Sequence, residues 1–159
     1  MAWLRSDATL WVMSVSHREP EPPPPPRWTS PGGKRKRVLV ETPRPAVGWA
    51  LHRILTDEGY EVVVCGGPAS RGGDCPLLRG AICPAAEGAT AILYSLSLHD
   101  PRDRDVLAAH AITHPDVPVL IEIPPVLERS LAELVAEHDT VDSTASREEL
   151  VDAVRKIIS

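Results

Sequence analysis

Arg37-Val-Leu-Val-Glu41, Pro45-Ala-Val-Gly-Trp-Ala-Leu-His-Arg-Ile-Leu-Thr-Asp57 and Tyr60-Glu-Val-Val-Val-Cys65 follow one another without interruption by any long loop. The first is a short apolar run rich in valine, which suits a buried strand. Pro45 fits the first turn of a helix, where its missing N–H costs no hydrogen bond. Val47, Leu51, Ile54 and Leu55 then recur at the three- and four-residue spacing of one helix face. Gly59 ends that helix and a second apolar run follows. Strand, helix and strand in this order form the unit of a parallel sheet.

The alternation continues to the end of the sequence. Ala91-Ile-Leu-Tyr-Ser95-Leu96 opens a third strand that runs to Leu98, and Asp103 to Thr113 reads as a helix with Val106, Leu107, His110 and Ala111 inward. Val117 to Ile123 is a fourth strand, Pro125 to Glu137 a helix carrying Leu127, Leu131 and Leu134, and Thr140 to Asp142 a short fifth strand. Ser146-Arg-Glu-Glu149 is a capping box, in which the serine oxygen takes a free backbone N–H while the glutamate reaches back. Leu150, Val154, Ile157 and Ile158 form the stripe of the last helix. These elements predict one doubly wound α/β domain over 37–159, with five parallel strands in the flavodoxin-like order 2-1-3-4-5. Any site belongs beyond the carboxyl ends of the strands. The expected core holds Val38, Val40, Leu51, Ile54, Val63, Ile92, Leu96, Val119, Ile121, Leu131, Val154 and Ile157.

The formal charge of -5 is unevenly spread: residues 1–37 carry seven Lys and Arg against three acids, and residues 38–159 ten against nineteen. An acidic folded part repels nucleic acid, whose binding rests on Lys and Arg contacts to phosphate. No run reaches the roughly 20 apolar residues that span a bilayer. The start, Met1-Ala-Trp-Leu-Arg5, lacks the pattern of a secretory signal, so a cytoplasmic location is expected. Residues 1–36 read as a disordered tail. Pro22 to Pro26 is an unbroken proline run, Gly32-Gly33 loosens the chain, and Lys34-Arg35-Lys36-Arg37 is basic. Such a tail is a solvated tether, or a ligand for a proline-binding groove or an acidic surface. Met13 offers a second start.

With its order of elements and the stretch from Pro45 to Val63, the chain resembles the receiver domain of two-component response regulators (the CheY-like fold). The likeness covers about 120 residues. Receivers hold Mg²⁺ with acids after strand one and with the phosphorylated aspartate at strand three, and phosphoryl transfer needs that ion to offset charge on the oxygens. The matching residues here are Thr42, Pro43, Arg44 and Ser95. The signalling hydroxyl after strand four falls on Ile123 and the lysine after strand five on Ser143. The resemblance is thus to a degenerate pseudo-receiver with no phosphoacceptor. Glu41 and Glu122 stand one place from the expected acids, which turns each to the opposite face of its strand. They are read either as partly solvated strand ends paired with an arginine or, with Thr42, Arg44 and Asp142, as a remodelled pocket around Ser95.

The loop at 66–88 stands where a second helix is usual. It carries Cys75-Pro-Leu-Leu-Arg-Gly80 and Cys83-Pro-Ala-Ala-Glu-Gly88, one pattern repeated after eight residues. Each Cys-Pro opens a short helical turn, whose positive end favours thiolate. Cys65, Cys75 and Cys83 are read as free thiols, as a zinc or iron site with His99 as fourth ligand, as a Cys75–Cys83 redox pair, or as a haem-responsive motif. His52, His110, His114 and His138 are read as surface residues.

No glycine-rich phosphate loop follows strand one, and no G-x-S-x-G elbow surrounds Ser95. The expected function is a phosphorylation-independent signalling or protein-interaction module, neither an enzyme nor a cofactor carrier. Its partner is an unidentified protein, a second copy of the chain among the candidates. A metal-, haem- or redox-responsive sensor built on residues 65–83 is the alternative, and a small flavodoxin-like enzyme the third reading.

Overall fold

The computed structural model describes residues 26–29 and 34–159. Most of the expected disordered tail, including Met13, His17 and Pro22 to Pro25, lies outside the described residues. In chain order the elements are β1 (Arg37–Glu41), α1 (Pro45–Asp57), β2 (Glu61–Cys65), two 3₁₀ turns (Ala69–Arg71 and Leu77–Arg79), α2 (Pro84–Glu87) and β3 (Ala91–Tyr94). There follow α3 (Pro101–Thr113), β4 (Val119–Ile123), α4 (Pro125–Glu128), α5 (Ala132–Val135), β5 (Asp139–Asp142) and α6 (Arg147–Ile158). All strand pairs are parallel and the order is β2-β1-β3-β4-β5. No helix among the described residues is long and apolar enough to cross a membrane.

The period-two pattern of the strands builds a core on each face of the sheet. Leu39, Ile92, Tyr94, Ile121 and Ile123 pack with Val106 and Leu107 of α3. Val38, Val40, Leu93, Leu120 and Val141 pack with Leu51 and Leu55 of α1 and with Leu150 and Val154 of α6. Burying each such side chain contributes about 1.5–3 kcal/mol. Of the expected core, Ile54, Val63, Val119, Leu131 and Ile157 are only half-buried. Val63 is so because β2 is an edge strand, with no strand on its outer side among the described residues. Ala111 is exposed, contrary to the sequence reading, while Val151 is buried. The capping box forms as read: Glu149 N–H donates to Ser146 Oγ at 3.3 Å, and Ser146 N–H to Glu149 Oε2 at 2.8 Å.

The helix expected over Pro125–Glu137 is broken in two. Leu131, at φ -113 and ψ 15, leaves the helical region. The Leu127 carbonyl accepts both from Ser130 Oγ at 2.9 Å and from Leu131 N–H at 3.0 Å. Between β2 and β3 the turns are more regular than the sequence reading allowed. Pro68-Ala-Ser-Arg-Gly72 repeats the pattern of the two later copies, so three Pro-x-x-x-Gly units recur every eight residues. In the first two, the proline carbonyl accepts from the N–H five residues on, Gly73 at 2.8 Å and Ala81 at 2.9 Å. That closure needs the glycine before it in the left-handed region, and Gly72 and Gly80 have φ 60 and 69. The units carry Cys75, Leu77, Cys83, Ala85 and Ala86 into the core on the α3 face.

Trp28 lies within the stretch expected to be disordered, yet it is docked. Its indole Nε1–H donates to the Ala85 carbonyl at 3.0 Å, and the Arg37 guanidinium stands 5.2 Å from its ring. The ring rests where a Cβ on Gly88 would lie.

Gly48 marks the closest approach of α1 to the sheet. A Cβ there would stand 2.8 Å from Val64 Cγ1 and 3.2 Å from Thr42 Cγ2. Alanine normally stabilises an exposed helix by about 1 kcal/mol over glycine. At this position the clash reverses the sign, and Gly48→Ala is expected to lower the urea midpoint.

Candidate functional site at the carboxyl ends of the strands

β1, β3, β4 and β5 all end at one edge of the sheet, and the residues following them line a cavity of about 520 Å³. Ser95 follows β3 directly. It is 9% exposed and its N–H donates to the Glu41 carbonyl at 2.7 Å, which continues the β1–β3 ladder by one step. The β3–β4 register pairs Tyr94 with Ile121, so one step on Ser95 stands beside Glu122. Arg44 reaches across from the β1–α1 turn, with Nη2 at 4.0 Å from Glu122 Oε1. The glutamate side chain is 9% exposed and the arginine 60%. Glu122 Oε2 is buried with no hydrogen-bond partner. Ser143, Thr144 and His99 complete this wall.

The residues read as a remodelled pocket are therefore only partly gathered. Arg44, Ser95 and Glu122 share the cavity. Asp142 lies next door, in a second cavity that also touches Arg44, Glu122 and Ser143. It accepts from Thr144 N–H at 2.7 Å and holds the turn after β5. Thr42 is buried on the α1 side, where its N–H donates to the Cys65 carbonyl at 2.9 Å. Glu41 points to the opposite face and is only 2% exposed. The partly solvated strand end paired with an arginine thus describes Glu122 and fails for Glu41.

Glu41 Oε2 is hydrogen-bonded to His110 Nε2 at 3.0 Å, and His110 is 1% exposed. His110 is inward, in line with its place beside Val106 and Leu107 and against its reading as a surface histidine, and His114, also read as a surface residue, is buried too. The signal was present: Asp103, Val106, Leu107 and His110 form one helical stripe, and His114 continues it as the cap. The His110 and His114 rings are 6.0 Å apart, and His110 Nδ1 and His114 Nε2 are buried without partners. Burial, then the neighbouring His110, lower the pKa of His114. Tyr94 donates its hydroxyl to the Asp103 carbonyl, and burial followed by the Glu41 charge raises its pKa strongly. Burial also raises that of Asp103, against a hydrogen bond from Ser97 N–H at 3.0 Å.

The cysteines do not assemble a metal site. Cys75 and Cys83 are buried in the core cluster and Cys65 is half-buried against it. Among the described residues, no three His, Cys, Asp or Glu side chains are gathered to hold a metal ion. His99 is exposed at the Ser95 cavity, whose walls include no cysteine. Thiolate is disfavoured at Cys65 and Cys83 as well. Burial, followed by the Glu41 charge, pushes Cys65 up to about 12. Burial raises Cys83 too; the N–H groups of Ala86 and Ala85 lower it as expected at a turn start, and desolvation outweighs them. The donor set for Mg²⁺ fares no better, since Glu41 is committed to His110 and Glu122 faces Arg44.

No protein-family model matches the chain, and no curated protein matches it in sequence. Solved structures do match in fold, and most of those considered are response-regulator receivers. The chain is similar to the receiver domain protein of Clostridium thermocellum (TM-score 0.62, 14% identity, 77% of this chain and 94% of that one). It is similar to the response regulator TrrA of Thermotoga maritima, solved with Mg²⁺ and BeF (0.58, 16%, 77% and 98%). It is also similar to a chain from Rhodopirellula baltica described as an adenylate cyclase (0.60, 14%, 78% and 87%). At these identities the likeness establishes the flavodoxin-like receiver fold.

His110→Ala strips a buried carboxyl group of its partner and is expected to cost about 3–5 kcal/mol in urea unfolding. A Glu41→Leu/His110→Leu double variant should recover much of that loss. Cys65 favours the folded state below pH 9, where unfolded thiols begin to ionise, and this advantage is lost as pH climbs from 9 toward 12. Stability measured across that window should fall, and fall less in Cys65→Ala. At pH 8 alkylation of native Cys65 should be roughly a thousandfold slower than in the unfolded chain, in proportion to thiolate.

Proposed function

We propose that this chain is a receiver-like signalling module that acts through protein contacts without aspartyl phosphorylation. The observation carrying this reading is the Ser95 position. Phosphoryl transfer to a receiver needs a carboxylate nucleophile and a divalent cation that neutralises the oxygens in the transition state. Here a serine hydroxyl follows β3, and the β1–α1 turn brings the cationic Arg44 into the same cavity, set against Glu122. An arginine in that place repels a second cation. With Glu122 as its counter-charge, it leaves no pair of free carboxylates. The hydroxyl also lacks a base: no histidine or free acid is hydrogen-bonded to Ser95 among the described residues.

An acidic domain that conserves shape while giving up the chemistry is suited to recognition of a basic or apolar protein surface. Binding then depends on the concentration of the partner in place of a covalent mark. In ¹⁵N-NMR, acetyl phosphate or beryllofluoride with Mg²⁺ should leave the amides of Ser95, Arg44 and Glu122 in place. Saturable shifts at those amides, abolished by Ser95→Ala, would contradict the proposal. Arg44→Asp together with Ser95→Asp restores two acids, and this double variant should gain Mg²⁺-dependent shifts that the native chain lacks.

A further inference from the structure

Near the end of β4, Glu122 stands between two cavities, about 520 Å³ on the Ser95 side and about 340 Å³ on the α1 side. With Arg44 and Ser143 it lines both, so the two form one trough across the strand ends. The glutamate side chain is 9% exposed, and its Oε2 has no hydrogen-bond partner among the described residues. Arg44 Nη2, at 4.0 Å from Oε1, is too far to donate a hydrogen bond. A carboxylate withdrawn this far from water is unfavourable until donors receive it. The carboxyl group turns readily about χ3, which lets either oxygen face the cavity.

The charges on this wall select the occupant. A simple anion drawn to Arg44 meets the Glu122 carboxylate, and a metal ion drawn to Glu122 meets the guanidinium. A molecule carrying both signs satisfies both groups. An α-amino acid holds its nitrogen and carboxyl carbon about 2.5 Å apart. Its two charges can therefore lie head to tail against a pair 4.0 Å apart. Ser95 and Ser143 line the same wall and bring hydroxyls that can donate to a carboxylate. The remaining wall is largely apolar, with Leu96, Leu98, Ile123, Leu127 and Leu131. A concave site of this size, apolar with a few convergent polar groups, is of the kind that takes small molecules. We propose that the trough binds a free α-amino acid with a large apolar side chain. Its ammonium group sits on Glu122, its carboxylate on Arg44, and its side chain against Leu127 and Leu131. The inference rests on the preceding reading, that this edge has given up phosphoryl chemistry.

Calorimetric and ¹⁵N-NMR titrations of the full chain with L-leucine and L-phenylalanine test the site. Each should give saturable shifts at the amides of Ser95, Glu122 and Ser143, and should raise the melting temperature by mass action. Leucinamide lacks the carboxylate and 4-methylpentanoate lacks the ammonium group; each should bind at least tenfold more weakly than leucine. Glu122→Gln and the more exposed Arg44→Gln should each weaken leucine at least tenfold, with the Trp28 indole resonance in place as the sign of an intact fold. Equal affinity for leucine and 4-methylpentanoate would reduce the site to an anion contact on Arg44 and overturn the proposal. So would leucine binding untouched by Glu122→Gln. Absence of shifts with either amino acid, in a chain that is also silent to beryllofluoride with Mg²⁺, would overturn the amino-acid site and leave the phosphorylation-independent module standing. A response to beryllofluoride with Mg²⁺ at these amides would overturn both.

Discussion

Glu41 ends an interior strand with its carboxyl group 2% exposed on the α3 face, against His110. Taking a carboxylate out of water costs several kcal/mol unless polar groups receive it, so the elements around it are constrained to do so. α3 presents a histidine three residues after Leu107, and its Nε2 meets the Glu41 carboxyl group at 3.0 Å. The same charge raises Cys65, Tyr94 and Cys83 and reaches His114. Burial is the main cause of each of these shifts, and the Glu41 charge adds to it for Cys65, Tyr94 and Cys83. The commitment of Glu41 to His110 also removes it from the edge where a receiver would use its acids.

The sheet was legible because each strand carries its own signal. Runs of valine, isoleucine and leucine buried on both faces admit a parallel sheet and little else. The strand order then follows from the short connections and the right-handed crossovers. Helix ends with a chemical cap were legible too, as with Ser146 and Glu149. Where the backbone departs from the helix at one residue, the pattern misled. The leucines at 127, 131 and 134 keep helical spacing through the break at Leu131.

The candidate site was legible by position and opaque by orientation. Ser95, Arg44 and Glu122 meet because they follow strands that end together, which counting along the chain reveals. Glu41 is one residue out of step with Ser95 and is carried to the opposite face, whereas Thr42 is level with Ser95 and is buried under α1. Nothing in the string marks His110 as the partner of a glutamate 69 positions away, although its place on the Val106–Leu107 stripe marks it as buried. Trp28 was missed for another reason. Its neighbours are prolines, glycines and basic residues, and its docking depends on Gly88 leaving room for the ring.

The first two of the three Pro-x-x-x-Gly units between β2 and β3 each close a hydrogen bond on their own proline carbonyl, and the third is the single turn α2. A helix ties every residue to the one four places on, so an insertion rotates all that follows. Self-closed octads are insulated from one another. The connection can gain or lose a whole unit while β2 and β3 keep their register. This segment is therefore the part of the domain whose length evolution can change at least cost, and each added unit would extend the sheet's cover by one more wedge of core.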